Sequence, residues 1–274
     1  MAYRYVKMQG LGNSFVLFDN VTADAADRIE LTAELARRCC DGSLGVEADG
    51  VLALSAPQSD SADIAWDFYN ADGSVAEMCG NAARAVGRYV LEGGLWPEGR
   101  DVLRLETLVG VKEIRALRDE TGAFVGARVD MGVAELGEAL ELEGYRWQKV
   151  SVGNPHAVTF VDDLPWEFGS VPVTTVGPLI ENDAAFPGRT NVEFAEVLGR
   201  GRLRMRVWER GVGETLACAT GACAVAVAAY AQELVDDALV VEMPGGELKV
   251  EVCPDYRVFM TGPAECVFEG TIEW

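Results

Sequence analysis

One design occurs twice in this chain: a cysteine, then small residues, then an apolar helical pattern. "EMCGNAARAVGRYV" carries it from Glu77 to Val90, and "LACATGACAVAVAAYA" from Leu216 to Ala231. Other landmarks keep the same order. Gly12-Asn13 returns as Gly153-Asn154, an offset of 141. "DFYNADG", ending at Gly73, returns as "VWERGVG", ending at Gly213, an offset of 140. Cys79 returns as Cys218 at 139, and "TLVGVKEI" from Thr107 returns as "MPGGELKV" from Met243 at 136. Half of the 274 residues is 137. A chain built this way folds as a duplicated α/β unit, and its length suits two domains of ordinary size.

Short alternating or continuous apolar runs such as "VLALS", "LRLETL", "GARVDMG", "ALVVEM" and "RVFMTG" predict strands. Helical spacing appears at "TAELARRCC", from Asn81 to Leu91 and from Thr220 to Leu234. Many strands and few helices predict an α+β fold. Each half is expected to wrap a β-sheet or barrel around its central apolar helix. The turn-rich "RDETGAF" near residues 118–124 is the expected junction, giving halves of 1–118 and 119–262.

Composition narrows the function. The net charge of −21 repels phosphate backbones and anionic membranes, so neither nucleic acid nor membrane is an expected partner. The opening "MAYRYVKMQG" lacks the apolar core of a signal peptide, and no apolar run reaches the ~20 residues of a membrane span. A cytoplasmic protein is expected. Seven cysteines, an odd count, argue against a disulfide framework. There is no CxxC, and a single histidine cannot complete a usual zinc set, so no metal is expected. None of Lys7, Lys112, Lys149 and Lys249 lies in a convincing Schiff-base setting, so no pyridoxal cofactor is expected. "GLGNSF" lacks the glycine spacing of a dinucleotide fingerprint.

A cysteine at a helix start faces unpaired N–H groups and the positive end of the helix dipole. Both favour thiolate over thiol, so each of Cys79 and Cys218 is expected to ionise more readily than an ordinary cysteine. The residues that follow, Gly80-Asn81-Ala82 and Ala219-Thr220-Gly221, are small enough to let a carboxylate reach the N–H groups. Two such ends facing one ligand would clamp its carboxylate and put a sulfur on each face of the α-carbon. One thiolate removes the α-proton, the opposite thiol returns one, and the stereocentre inverts. The N–H clamp stabilises the carbanion. Singly, either cysteine reads as a small buried hydrophobe; the duplicated context favours chemistry for this pair. Cys39, Cys40, Cys223, Cys253 and Cys266 read as structural.

These residues carry a resemblance. "MQGLGNSF", "NADGSVAEMCGN", "GNPHAV", "GPLIEN", "FPGRTNVEF", "RVWERGVGETLACATGAC" and "PGGELKVE" are similar, in order, to motifs of the diaminopimelate epimerases. These are cofactor-independent isomerases of lysine and cell-wall precursor synthesis. The resemblance spans nearly the whole chain. It implies two pseudo-symmetric domains, an active site in the cleft between them, a last strand near residues 263–274 that returns to the first domain, and a homodimer. It implies Cys79 and Cys218 as the acid/base pair. Gly80, Asn81, Ala219 and Thr220 would hold the reacting carboxylate. Asn70, Asn191 and Arg210 would read the distal carboxylate and Glu209 the distal amino group. Asn13 and Asn154 would line the pocket, and His156 and Glu209 would tune the thiols.

Side-chain chemistry is compatible with those roles: Arg210 can bind a carboxylate in bidentate fashion, and the asparagines offer both donors and acceptors. Each asparagine read alone is more readily a turn or cap residue, and His156 alone is as readily a structural imidazole. Gln9, Ser14, Ala82 and Ala219 depart from the family pattern, and Gly50 stands where some members carry Gln. The nearest rival is another cofactor-independent amino-acid racemase of the same fold, such as a histidine or proline-type racemase. It would keep the cysteines without needing Asn70, Asn191 and Arg210.

Overall fold

The computed structural model describes residues 2–92, 95 and 100–273. In chain order, the first elements are β1 (Ala2–Gly10), β2 (Asn13–Asp19), α1 (Ala33–Cys40), β3 (Gly50–Ser55), β4 (Ile64–Asn70) and α2 (Gly80–Glu92). β5 (Val102–Thr107), β6 (Gly110–Arg118) and β7 (Phe124–Val133) follow. Then come β8 (Glu135–Leu142), β9 (Tyr145–Ser151), β10 (Pro155–Phe160), α3 (Val173–Glu181), β11 (Asn191–Gly199) and β12 (Arg202–Glu209). The chain ends with β13 (Gly213–Thr215), α4 (Ala219–Ala231), β14 (Ala238–Met243), β15 (Gly246–Val252), β16 (Arg257–Gly262) and β17 (Glu265–Glu273). No helix among the described residues is long and apolar enough to cross a membrane.

The chain divides into two compact units, Met1–Val129 with Gly262–Trp274, and Asp130–Thr261. The stretch expected to join the halves, residues 118–124, is instead a hairpin turn inside the first unit. Asp119 caps it by accepting from the N–H groups of Thr121 and Ala123, and β6 and β7 pair across it. Turn chemistry alone does not distinguish a tight hairpin from a linker. The division falls within β7, where no composition shift marks it.

In the first unit β17 pairs with β1, β1 with β2, β3 with β4, β5 with β6 and β6 with β7, all antiparallel. Only β2–β3 and β4–β5 are parallel. The second unit repeats this scheme, with parallel pairs at β10–β11 and β12–β14. Register makes the repeat quantitative. Phe15 faces Gly50 in the first unit and His156 faces Asn191 in the second, an offset of 141 for both partners. Leu52 faces Phe68 and Glu193 faces Val207, so β4 and β12 are offset by 139, as are the starts of α2 and α4. Asn70 therefore corresponds to Glu209, and Leu52 to Glu193.

Each central helix is held inside its own curled sheet: α2 contacts β1, β2, β5, β6 and β17, and α4 contacts β9 to β12, β14 and β15. α4 is apolar on all sides and every residue from Ala219 to Ala229 is buried, as a helix surrounded by sheet requires. α2 differs by carrying Arg84 and Arg88, which donate to the carbonyls of Pro263 and Ala264 at 2.9 and 2.6 Å and seat the approach to β17. The outer helices cover the opposite sheet faces. α1 starts at the Thr32 cap, whose hydroxyl accepts from the N–H of Leu35, and packs Ala36, Cys39 and Cys40 into a core with Val16, Val51 and Ala53. α3, which the sequence patterns did not pick out, packs Gly177 so close to Trp208 that a Cβ would come within 2.7 Å of it.

Candidate active site

The two cysteine-led helix starts are built alike and furnished differently. In the first unit the carbonyl of Cys79 accepts the first helical bond of α2, from Ala83. Asn13 follows the left-handed pair Leu11-Gly12, which turns the chain from β1 into β2. Its Oδ1 accepts from Asn81 Nδ2 at 3.1 Å and from Cys79 Sγ at 3.8 Å. Asn13, Cys79 and Asn81 thus form one cluster at the N-terminus of α2. Asn70 ends β4 and donates to Ser74 Oγ at 2.9 Å, so its hydrogen bonds hold the turn after β4.

Two departures from the family pattern have local partners. Gln9 accepts from the N–H of Gly12 and donates to Glu265, which pins the β1–β2 turn to β17. Ser14 donates its N–H to Asp49 at 2.7 Å. Gly50 has no room for a side chain: a Cβ would meet Phe68 at 2.6 Å and the Tyr69 carbonyl at 3.0 Å.

In the second unit Cys218 is the cap of α4, and its sulfur accepts from the N–H of Gly221 at 3.4 Å. Ala219 is the first residue of α4 and is buried there, so its methyl is accommodated at the helix start. Behind the sulfur runs a chain of side chains. His156, 1% exposed, has Nδ1 at 2.6 Å from Oε1 of Glu193, which is 0% exposed. Asn154 donates to Thr220 Oγ1 at 3.2 Å, so its Oδ1 accepts from His156 Nε2 at 2.9 Å. Thr220 thereby keeps its own hydrogen for Cys218 Sγ, 3.5 Å away. Glu209 accepts from Thr215 Oγ1 and from the Cys218 thiol.

Burial dominates the electrostatics. It raises the Cys218 thiol well above an ordinary cysteine, and the nearby carboxylates of Glu209 and Glu193 add to the effect. The bonds from Thr220 and Gly221 oppose it and are outweighed. This reverses the expectation of an easily ionised Cys218: a helix end lowers a thiol only while the thiol keeps its solvation. Burial likewise raises Glu193 against the pull of His156, and Glu209 against its bonds to Thr215 and Cys218.

Asn191 bridges backbone segments. Its Nδ2 donates to the Pro155 carbonyl at 3.0 Å, and its Oδ1 accepts from the N–H of Arg210 at 2.9 Å. Arg210 is exposed and reaches the Gly188 carbonyl at 3.3 Å. The structure thus joins Asn154, His156, Cys218 and Thr220 in one network, links Glu209 to Cys218, and pairs Asn191 with Arg210. Sequence reasoning missed Glu193. Its signal was a single acid inside the apolar strand run "NVEFA". Among the described residues no group of three His, Cys, Asp or Glu side chains is arranged to hold a metal ion.

Comparison with known proteins agrees with the motif reading. The diaminopimelate epimerase family model matches residues 5–137 and 149–267. The diaminopimelate epimerase of Moorella thermoacetica is 45% identical over 97% of this chain and 98% of its own length. Diaminopimelate epimerase 1 of a Nostoc species is 39% identical over 99% of this chain and all of its own. Among solved structures, a hydroxyproline epimerase from Agrobacterium vitis aligns with a TM-score of 0.76 at 16% identity, covering 99% of this chain and 92% of its own. A phenazine biosynthesis protein of the PhzF family from Bacillus anthracis aligns with a TM-score of 0.70, also at 16% identity, over the full length of both. At such identities these two speak for the fold alone.

Proposed function

The chain belongs to the diaminopimelate epimerase family, and on that premise we propose that it interconverts LL- and meso-diaminopimelate with Cys79 and Cys218 as its two acid/base groups. The observation that carries this reading is the cysteine at the same place in both units, at the start of a buried central helix, offset by 139 residues. The catalyst is an isomerase that needs no pyridoxal group.

Cys218 begins as the thiol, because burial and two carboxylates disfavour its anion. The reaction then needs Cys79 as the base that takes the α-proton. Cys218 delivers its proton to the opposite face, and the new thiolate accepts from Thr220 and the Gly221 N–H. In the reverse direction the roles exchange. The N–H groups of Gly80 and Asn81, with those of Ala219 and Thr220, take the reacting carboxylate and stabilise charge that spreads onto it. Asn13 and Asn154 bound the reacting end. Arg210 takes the distal carboxylate with Asn70 and Asn191, and Glu209 the distal ammonium. His156 and Glu209 tune the thiol of Cys218. The enzyme works in the cytoplasm and, as the family resemblance implies, as a homodimer; analytical ultracentrifugation reads the assembly directly.

The test is α-proton exchange followed by NMR in D₂O. LL-diaminopimelate should take up deuterium at one α-carbon as the meso isomer appears, while a panel of simple amino acids stays protonated. Exchange into another amino acid, with diaminopimelate inert, would overturn the substrate while leaving the cysteine chemistry standing.

A further inference from the structure

The repeat shows how the settings of its two thiols differ. Offset 141 relates Phe15 to His156 and Leu52 to Glu193; offset 139 relates Cys79 to Cys218. The first unit thus has two apolar side chains where the second has a buried imidazole and carboxylate. We infer that Glu193 is a positioning residue that helps keep Cys218 protonated in the resting enzyme, acting through its charge behind the first turn of α4 and through its hold on His156, and so, together with Glu209 where the first unit has Asn70, separates the starting states of the two thiols. The inference rests on the two-thiol reading above and deepens it.

Geometry carries the argument. A Cβ built on Gly221 would lie 2.9 Å from Glu193 Oε1 and 3.3 Å from Cys218 Cβ. The absence of a side chain at Gly221 is what lets the carboxyl group approach the cysteine. Glu193 is 0% exposed; burial works against its charge and His156 supports it, and water does not screen the charge it carries. Its Oε1 is engaged by His156, and among the described residues its Oε2 has no hydrogen-bond partner. A carboxylate buried this way, one oxygen unsatisfied, is costly to keep for packing alone. Leu52 shows that the fold accepts an apolar residue at the same place. In the second unit the charged and titratable side chains facing Cys218 are Glu209 from β12, Glu193 from β11 and, through Asn154 and Thr220, His156 from β10. Thr215 on β13 holds Glu209. Glu209 is aligned by the thiol's own hydrogen bond, which leaves Glu193 as the carboxylate that bears on Cys218 without bonding to it.

The experiment is iodoacetamide alkylation of Cys218, resolved by peptide mass spectrometry across pH without substrate, beside the pH profile of kcat/KM. Glu193→Gln keeps shape and removes charge. Its Cys218 should alkylate with a midpoint about one pH unit lower than the parent's. The alkaline limb of kcat/KM should move down with it, KM should stay within about twofold because Glu193 is sealed from substrate, and Glu193→Asp should restore most of the parent profile. An unchanged alkylation midpoint in a folded Glu193→Gln variant would overturn the inference and leave Glu193 a packing residue. If that variant does not fold, the double variant Glu193→Leu/His156→Phe carries the side chains of the first unit and answers the same question, with the same downward shift expected and an unchanged midpoint overturning it. Alkylation needs no substrate. A parent enzyme inert toward diaminopimelate would therefore sink the substrate reading while this test still returned its own answer.

Discussion

Replacing Gly221 with alanine puts one methyl group into a tight part of the second unit. The new Cβ would stand 2.9 Å from Glu193 Oε1 and 3.3 Å from both Cys218 Cβ and Met205 Cε. Ordinary contact begins at 3.4 Å, so the carboxyl must retreat by about 0.5 Å. Glu193 is not a free-ended side chain that can swing aside, because His156 holds it at 2.6 Å. Retreat stretches that bond or pushes the helix start, and Cys218 with it. Overpacking of this kind costs ~1–3 kcal/mol, partly offset by at most ~1 kcal/mol from the better helix propensity of alanine. The expected net loss is ~1–2 kcal/mol, read as a lower urea midpoint with unchanged m, accompanied by a fall in kcat. The repeat supplies the control. Ala82 holds the matching place in α2, fully buried, where Leu52 stands in for Glu193. Ala82→Gly removes the matching methyl group and should lose ~1 kcal/mol of helix propensity and about as much again of packing. A Gly221→Ala enzyme as stable and as active as its parent would refute the claim that Glu193 and the start of α4 are in tight contact.

Three further outcomes follow from the same geometry. Cys79→Ala and Cys218→Ala should each cut epimerisation by ~10³-fold or more with the circular dichroism spectrum unchanged; substantial turnover in either contradicts the two-base scheme. Arg206 is 0% exposed and meets Glu214, 4% exposed, in a buried pair, with the rest of its guanidinium spent on Pro165 and Ser170. Arg206→Met should cost ~3–5 kcal/mol by stranding Glu214, and adding Glu214→Gln should recover part of it in chemical denaturation. Alkaline stability should fall steeply, because burial pushes Cys39 and Cys40 from 9.0 up to about 12. Native thiols keep protons that unfolded ones release. Stability is therefore intact below the unfolded value and declines by ~1.4 kcal/mol per pH unit per thiol from about pH 9 toward 12. Urea midpoints at pH 8 and 10.5 check this, and Cys39→Ala should flatten the decline.

Much of the fold could be read from sequence because it is written in local terms. β3, β5, β14 and β16 are apolar runs bounded by turn residues, and α2 and α4 follow cysteine starts. α3 could not be read that way. It opens on β-branched Val173, Thr174 and Thr175 and contains Pro178, which local propensity counts against a helix. Packing under Trp208 overrides that local preference, and the repeat itself would have predicted it, since α1 begins at Ala33 and α3 begins 140 residues later. In the site, the cysteines, asparagines and His156 were visible as motif residues. Glu193 was not, because a lone acid in an apolar strand gives no hint of the imidazole it faces on a neighbouring strand. The state of Cys218 was hidden for a related reason: sequence displays the helix end that favours a thiolate but conceals the burial and the carboxylates that disfavour it.

The differences between the two units fall where one copy must do what the other does not. Both sheets need a strand beside their first hairpin. The second unit takes β8 from the chain just before it, while the first takes β17 from the chain's far end. Arg84 and Arg88 of α2 serve that return by binding the carbonyls of Pro263 and Ala264; at the matching places in α4 stand Cys223 and Val227. Charge in α2 is therefore architectural. In the second unit the central helix carries no charge, and His156 and Glu193 lie on strands β10 and β11 instead, with Glu193 bearing on Cys218. A two-base inversion uses that kind of asymmetry. Even equal thiols that interact can share one proton as a coupled pair, and unequal settings then fix which of the two carries it.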